Sequence, residues 1–262
     1  MELVVKISSE AHCHTMRQCK PGVRESYLES KFRAFCHEMY NCKFSHYYPI
    51  CACGPNPSTL HYIINSDILP ETSMCLIDMG QGLHGYGADI TCSYPTNGVF
   101  TEKQKQIYNL VVKANRMVLA QLKPGIKWPD MHLLAERVIL EGLKDLEIVH
   151  GDVDEMIENR VGFLFMPHGL GHLLGLDVHD VGGYLHHHPP RSDKWGLKNL
   201  RFAREMEENL VLTVEPGCYF IKSVLVDRAV DTGIDIDKYV NVDKAMEYAK
   251  EVAGVRIEDD VV

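Results

Sequence analysis

No apolar run in the 262-residue chain approaches the ~20 residues that a membrane-spanning helix needs, so no transmembrane segment is expected. The N-terminal residues Met1 to Lys6 show no basic region leading into a long apolar stretch, and no signal peptide is read there. CxxC pairs are also missing. The nine cysteines are scattered, and Cys51 with Cys53 forms only a CxC on a strand-like stretch. An odd count without metal-ligand spacing argues against a disulfide scaffold. It suggests reduced thiols in a cytoplasmic protein, most of them acting as small buried hydrophobes. Basic charge is scarce as well: 27 Lys and Arg face 36 Asp and Glu, a formal net charge of −9. Such a chain is a poor non-specific ligand for the phosphate backbone of nucleic acids, but it suits a cation where acids converge. With 45% hydrophobic and 24% charged residues, it matches soluble globular proteins rather than disordered or fibrous ones.

No low-complexity linker or tandem repeat divides the chain, so residues 1–262 are read as one domain. Leu3 to Gln18 reads as a helix closed by Pro21-Gly22. Ser26 to Tyr40 reads as a second, with Leu28, Phe32, Phe35 and Met39 at helical spacing. Tyr47 to Cys53 is strand-like, and Met74 to Asp78 and Ala88 to Tyr94 read as short strands. Between the last two, Gly80 to Gly85 forms a hairpin-like connection. Thr101 and Gln104 frame a capping box for a helix to about Leu122, whose Leu110, Val111 and Met117 are assigned to the core. Trp128-Pro129-Asp130 starts another helix, to about Leu143. Val211 to Val214, Cys218 to Phe220 and Gly254 to Val262 read as strands. Helices first and hairpin strands later predict an α+β fold, an antiparallel sheet covered by helices on one face.

Five residues carry the chemistry. Asp78 ends the apolar run from Met74 to Ile77, and Asp89 opens the next strand. His172 lies in a Gly- and His-rich segment, Glu215 follows Val211 to Val214, and Glu258 sits near the end. Taken singly, each reads more simply as a turn, cap or loop residue. Together they are informative, because three of the four acids follow apolar runs, where a lone carboxylate is costly to bury. Paired strands can aim both aspartates at one point. Four carboxylates match the charge of two divalent cations, and oxygen-rich ligation with one imidazole favours a harder ion such as Mn²⁺ over a thiolate zinc site. His186-His187-His188 precedes Pro189-Pro190 and reads as an exposed loop.

At these residues the chain resembles the pita-bread metallopeptidases, a family that includes methionine aminopeptidase, aminopeptidase P and prolidase. The strings Asp78-Met79-Gly80, Asp89-Ile90-Thr91-Cys92-Ser93, Phe165 to His172, Asp177 to Tyr184 and Val211 to Gly217 are most similar to the prolidase branch. The resemblance implies the curved-sheet pita-bread fold and two divalent metal ions. Asp78 would hold one ion, His172 and Glu215 the other, and Asp89 and Glu258 would bridge them. It implies that Glu215 passes a proton from the nucleophilic water to the departing proline nitrogen. His168 and His179 would polarise the carbonyl and stabilise the oxyanion, with His61 also in the substrate site. Arg201 would bind the free carboxylate of the substrate, and Arg256 would support the site beside Glu258.

The activity so implied is hydrolysis of dipeptides ending in proline or hydroxyproline, with small Xaa-Pro peptides as partners and with neither nucleic acid nor membrane. By the same resemblance, the prolidases' separate N-terminal domain is absent from these residues, and the family continues past Val262 with at least one further strand. The segment between His61 and Asp78 is shorter than in prolidases and reads Ile63-Ile64-Asn65-Ser66 where a glycine-containing stretch is expected. These departures spare every expected ligand but bear on the pocket and on a homodimer, which the resemblance allows. Three alternatives stay open: an aminopeptidase P that removes the residue before proline from longer peptides, a non-enzymatic binding module, and an inactive truncated homologue.

Overall fold

A computed structural model describes all residues, Met1–Val262. The helices are α1 (Glu2–Gln18), α2 (Glu25–Tyr40), α3 (Glu102–Gln121), α4 (Trp128–Asp145), α5 (Val153–Glu158), α6 (Lys222–Leu225), α7 (Ile236–Tyr239) and α8 (Val242–Ala249). The strands are β1 (Ile50–Cys53), β2 (Met74–Asp78), β3 (Gly82–Leu83), β4 (Tyr86–Gly87), β5 (Thr91–Pro95), β6 (Leu212–Val214), β7 (Gly217–Tyr219), β8 (Gly254–Arg256) and β9 (Asp259–Val261). All strand pairs are antiparallel: β1-β2-β5, β3-β4, β6-β9 and β7-β8. Single bridges, Thr91↔Glu258 and Leu173↔Leu212, tie these ladders together around the acids.

Local sequence explains the element ends. Thr101 accepts the Gln104 backbone N–H while the Gln104 side chain accepts from Thr101 N–H, the reciprocal box that starts α3. Thr101 also donates to Glu251 at 2.8 Å, pinning the helix start to the end of α8. Replacing Thr101 by Ala is expected to cost about 1–2 kcal/mol and to lower Tm by several degrees in a thermal melt. Pro129 stands in the first turn of α4, where its missing N–H is harmless. Asn41 closes α2 at φ 55°, a left-handed position that Asn tolerates. The β3–β4 turn uses His84 and Gly85, both at positive φ, as a tight two-residue hairpin requires.

Two apolar clusters hold the layers. The larger packs α3 and α4 on β6 to β8, with Trp128 fully buried and stacked on Phe202 at 5.0 Å between ring centroids. The smaller packs α1 and α2 on β1 and β2 through Ile7, Leu28, Phe32 and Ile77. Met117, expected in the core, is 39% exposed. It lies at the margin of the buried stripe formed by Ile107, Val111, Ala114 and Val118. A buried charge cluster fastens the segment leading to the Gly- and His-rich run. Glu136 on α4 accepts from Arg160 at 2.6 Å and from His132 at 2.9 Å. The helix-and-hairpin arrangement is the α+β class read from the sequence.

Three of the boundaries that differ from that reading bear on the acids. The strand before the first turn begins at Ile50 rather than Tyr47, because Pro49 removes a backbone donor and Tyr47 turns its hydroxyl to Asp78. Asp89 precedes β5 instead of opening it: its N–H is taken by the Asp260 side chain at 3.1 Å, not by a ladder partner. Gly254 to Val262 is two strands rather than one. The chain leaves β7 after Arg256 and joins β6 at Asp259, so Ile257 and Glu258 occupy the crossover.

Candidate metal centre

The acids converge because three ladders end at one place. Asp78 is the last residue of β2, opposite Thr91 on β5. Glu258 sits at the crossover between β8 and β9 and is bridged to that same Thr91. His172 reaches the site because its segment pairs with β6: its N–H donates to Thr213 Oγ1, and Thr213 N–H donates to the His172 carbonyl. Gly171 permits this approach, since a Cβ there would fall 2.0 Å from the Thr213 carbonyl oxygen. Glu215 follows β6 directly and accepts from Thr213 Oγ1 at 3.3 Å.

Asp89, His172 and Glu258 are buried, and each offers a ligand atom within 4.8 Å of the others'. Asp78 and Glu215 line the same 80 Å³ inner cavity, although they fall outside that tightest trio. Both Asp78 oxygens are engaged: Tyr47 donates to Oδ1 at 2.7 Å and Arg256 to Oδ2 at 2.5 Å. Arg256 further donates to Tyr219 at 2.9 Å and Thr91 at 3.0 Å, and it lies 3.9 Å from Glu258. It therefore supports the site beside Glu258, as expected, and holds Asp78 most closely.

The electrostatics describe a site built for more positive charge than one arginine brings. Burial pushes Asp78 up to about 6, against the pull of Arg256. Burial likewise lifts Glu215 to about 7, against His172 and Arg256. Glu258 is driven well above the usual carboxylate range by burial and by the neighbouring Asp89, Glu215 and Asp78. Burial also raises Asp89, but the His172 imidazole at 3.2 Å outweighs it and leaves Asp89 below its ordinary value.

His172 is informative on its own. One ring nitrogen, Nδ1, donates to the Leu173 carbonyl at 3.1 Å, so Nε2 is the one that faces Asp89 at 3.2 Å and Glu215 at 3.7 Å. A bare nitrogen lone pair facing two carboxylates needs a cation between them, either a proton or a metal ion. Burial lowers the His172 pKa, yet these acids carry it to about 9. Three buried carboxylates, the part-buried Glu215 and a fixed imidazole lone pair therefore fit divalent cations, and the donor set is the oxygen-rich one that suits hard ions.

The inner cavity opens into a 240 Å³ cleft lined by His61, His168, His172, His179, Asn199, Arg201 and Glu215. All the residues singled out in the sequence thus reach one site, in two layers. His168 is held as one tautomer: Arg256 donates to Tyr219 Oη, so Tyr219 donates on to His168 Nε2 at 3.0 Å. That leaves Nδ1–H for the Gly169 carbonyl at 2.8 Å, with Glu215 at 3.7 Å. Burial and Arg256 hold His168 down to about 3, a neutral ring. His179 packs edge-on to His172 at 4.4 Å between centroids, and burial with that neighbour lowers it to about 4. His61 is exposed at the rim and lowered by partial burial and Arg256. Arg201 is exposed at the rim too. It forms no ion pair or side-chain hydrogen bond within the chain.

Sequence reasoning missed Tyr47, Tyr219, Thr91 and Asp260. Thr91 donates to Glu258 at 2.6 Å. Asp260 is lifted by burial to about 8 beside Asp89. It missed His12 as well, whose Nε2 meets the Met79 carbonyl at 2.8 Å, immediately after Asp78. Tyr47 and His12 carry no local signal, because only the long-range pairing of their segments brings them to the acids.

This fold and acid constellation define a metallopeptidase: residues 1–262 match the profile of metallopeptidase family M24, and the chain belongs to that family, with its α+β pita-bread fold. Among curated proteins it is 44% identical to the Xaa-Pro dipeptidase of Homo sapiens over 98% of this chain and 52% of that protein. It is 43% identical, with the same coverage, to that of Rattus norvegicus. The chain thus spans about half the length of the curated relatives it matches. Among solved structures it is similar to aminopeptidase PepP of Pseudomonas aeruginosa, with TM-score 0.81 and 34% identity over 99% of this chain and 51% of that one. It is also similar to a substrate complex of a variant Escherichia coli aminopeptidase P, with TM-score 0.80 and 33% identity at the same coverage.

Proposed function

We propose that this chain is the catalytic part of a dinuclear metal-dependent exopeptidase that hydrolyses dipeptides with C-terminal proline or hydroxyproline. The observation that carries this reading is the two-layer site: buried acids with His172 at its floor, and Arg201 without a partner at its rim. Asp78, Asp89, His172, Glu215 and Glu258 would hold two divalent ions, with Mn²⁺ as our choice. When bound, such ions lower the pKa of water and polarise a carbonyl.

The chain's own groups would do the rest. Glu215, lifted by burial and steadied by Thr213, would take the proton of the attacking water and return it to the proline nitrogen, which leaves only when protonated. His179, neutral, and His61 would hydrogen-bond the peptide carbonyl as negative charge builds on its oxygen, and His168, also neutral, would join them by turning its Nδ1–H from the Gly169 carbonyl to the substrate. The Arg201 fork would seat the terminal carboxylate and so fix which bond lies over the acids. The nine free cysteines suit a reducing compartment, and we place the protein in the cytoplasm.

Gly-Pro is expected to exceed Gly-Pro-amide in kcat/KM by about 10- to 100-fold, the worth of one charge-assisted carboxylate contact. Arg201→Ala should bring the two close to equal. A second reading, aminopeptidase P-like cleavage of longer peptides, draws on the aminopeptidase P structures that this chain resembles. Equal rates for the acid and the amide, with a Gly-Pro tripeptide cleaved as fast, would establish that reading instead.

A further inference from the structure

Behind the acid-bearing strand lies a second cluster of reactive side chains that the peptidase reading does not use. Cys53 on β1 and Cys75 on β2 are directly opposed in the ladder, with their sulfurs 2.9 Å apart. The Cys75 sulfur is also 3.9 Å from that of Cys19, which follows α1. Cys53 and Cys75 are buried, whereas Cys19 is part-exposed. The hydroxyl of Tyr94, which faces Cys75 across the β2–β5 ladder, is buried without a hydrogen-bond partner.

The register decides what this pair can do. Cys53 N–H donates to the Glu25 carboxylate, and Cys51 N–H, two residues earlier, to Asn65. Neither turns to β2, so Cys53 and Cys75 form a non-hydrogen-bonded antiparallel pair. Cα atoms of such pairs are about 4.5 Å apart, inside the range of about 4.4–6.8 Å that a disulfide spans. No strand movement is needed to join them.

We propose that Cys19, Cys75 and Cys53 form a thiol relay through which a hydroperoxide oxidises the buried Cys53–Cys75 pair to a cross-strand disulfide. Cys19 is the entry point by exposure. Its thiol also lies below the ordinary value because of its hydrogen bond with Cys75. Burial keeps Cys75 well above that value, and it raises Cys53 despite the opposing hydrogen bond from Cys75. The thiolate is the nucleophile, so the buried pair is slow to react by itself.

The steps balance. The Cys19 sulfur attacks a peroxide oxygen, the O–O bond breaks, and the leaving hydroxide takes the thiol proton as water, giving a sulfenic acid. The Cys75 sulfur then attacks the Cys19 sulfur; the S–O bond breaks and the departing hydroxide leaves as water with the Cys75 proton. Finally the Cys53 sulfur attacks Cys75, and Cys19 departs and takes the Cys53 proton. Two thiols lose two electrons in total, and one hydrogen peroxide becomes two waters.

The test treats the full chain with hydrogen peroxide, alkylates free thiols after unfolding, and maps the digest by mass spectrometry. The expected product is one cross-linked peptide pair joining Cys53 to Cys75, lighter by two hydrogens and released by a thiol reductant. Cys19→Ser should slow its formation about ten-fold or more, while Cys13→Ser, at an exposed thiol outside the cluster, should leave the rate unchanged. Full alkylation of both Cys53 and Cys75 after treatment would overturn the proposal. So would an unaltered rate in Cys19→Ser. Thiols that resist alkylation until a chelator is added would assign the cluster to a soft cation and overturn it equally.

Discussion

Glu215→Gln is expected to fold, to retain at least one metal ion, and to lose about a thousand-fold in kcat. The change keeps the shape of the side chain and an oxygen for Thr213 to donate to. It removes the group proposed above to carry a proton between water and leaving nitrogen, and a general acid–base group contributes about 10²–10⁴. Asp89→Asn should behave differently. Asp89 lies in the tight trio with His172 and Glu258, and its loss should lower metal content along with turnover. Metal content measured beside kcat separates the two roles. Near-normal turnover of Glu215→Gln at full metal loading would remove the proton role from Glu215.

The second large effect concerns stability. Arg256→Met should destabilise the chain by about 3–5 kcal/mol and lower Tm by about 10 °C, even in excess metal ion. Arg256 is buried and holds Asp78 at 2.5 Å, Tyr219 at 2.9 Å and Thr91 at 3.0 Å through three different nitrogens. Truncation strands the Asp78 carboxylate and frees Tyr219, so the His168 ring also loses its fixed tautomer. Arg256→Lys should rescue little, since one ammonium cannot reach all three partners in that geometry. Denaturant melts of the three proteins, each with and without added metal ion, check this. An Arg256→Met midpoint within error of the parent would contradict it.

Residues that announce themselves locally were readable in advance. β2 occupies the predicted span, because Met74 to Ile77 is a short buried apolar run ended by a charge. The box at Thr101 and the Pro of α4 fixed their helix starts for the same local reason. Asp89 and Glu258 were visible as acids but misjudged in setting. The strand pattern cannot tell that Asp260 takes the Asp89 N–H, or that the last strand breaks where it changes partners. α5 and α8 escaped because their short amphipathic runs lack apolar length, and their caps, Asp152 and Asn241, resemble loop residues. Arg256 supports the site beside Glu258 as expected, while its pairing with Asp78, set by the β7–β8 register, was not legible in the sequence. Sequence therefore supplied the candidate acids and imidazole, and long-range pairing supplied the network that orients them.

Metal content and thermal stability, followed together on one sample, test the central claim most directly. Buried acids that repel one another are compensated by bound cations, and removing those cations should be felt by the whole fold. The purified chain loaded with Mn²⁺ should carry two ions per molecule by elemental analysis. Chelation to a confirmed metal-free state should lower Tm by several degrees or more and abolish Gly-Pro hydrolysis, and Mn²⁺ should restore both. A metal-free chain with an unchanged melting curve, or one that never holds more than a trace of any divalent ion, would contradict the account.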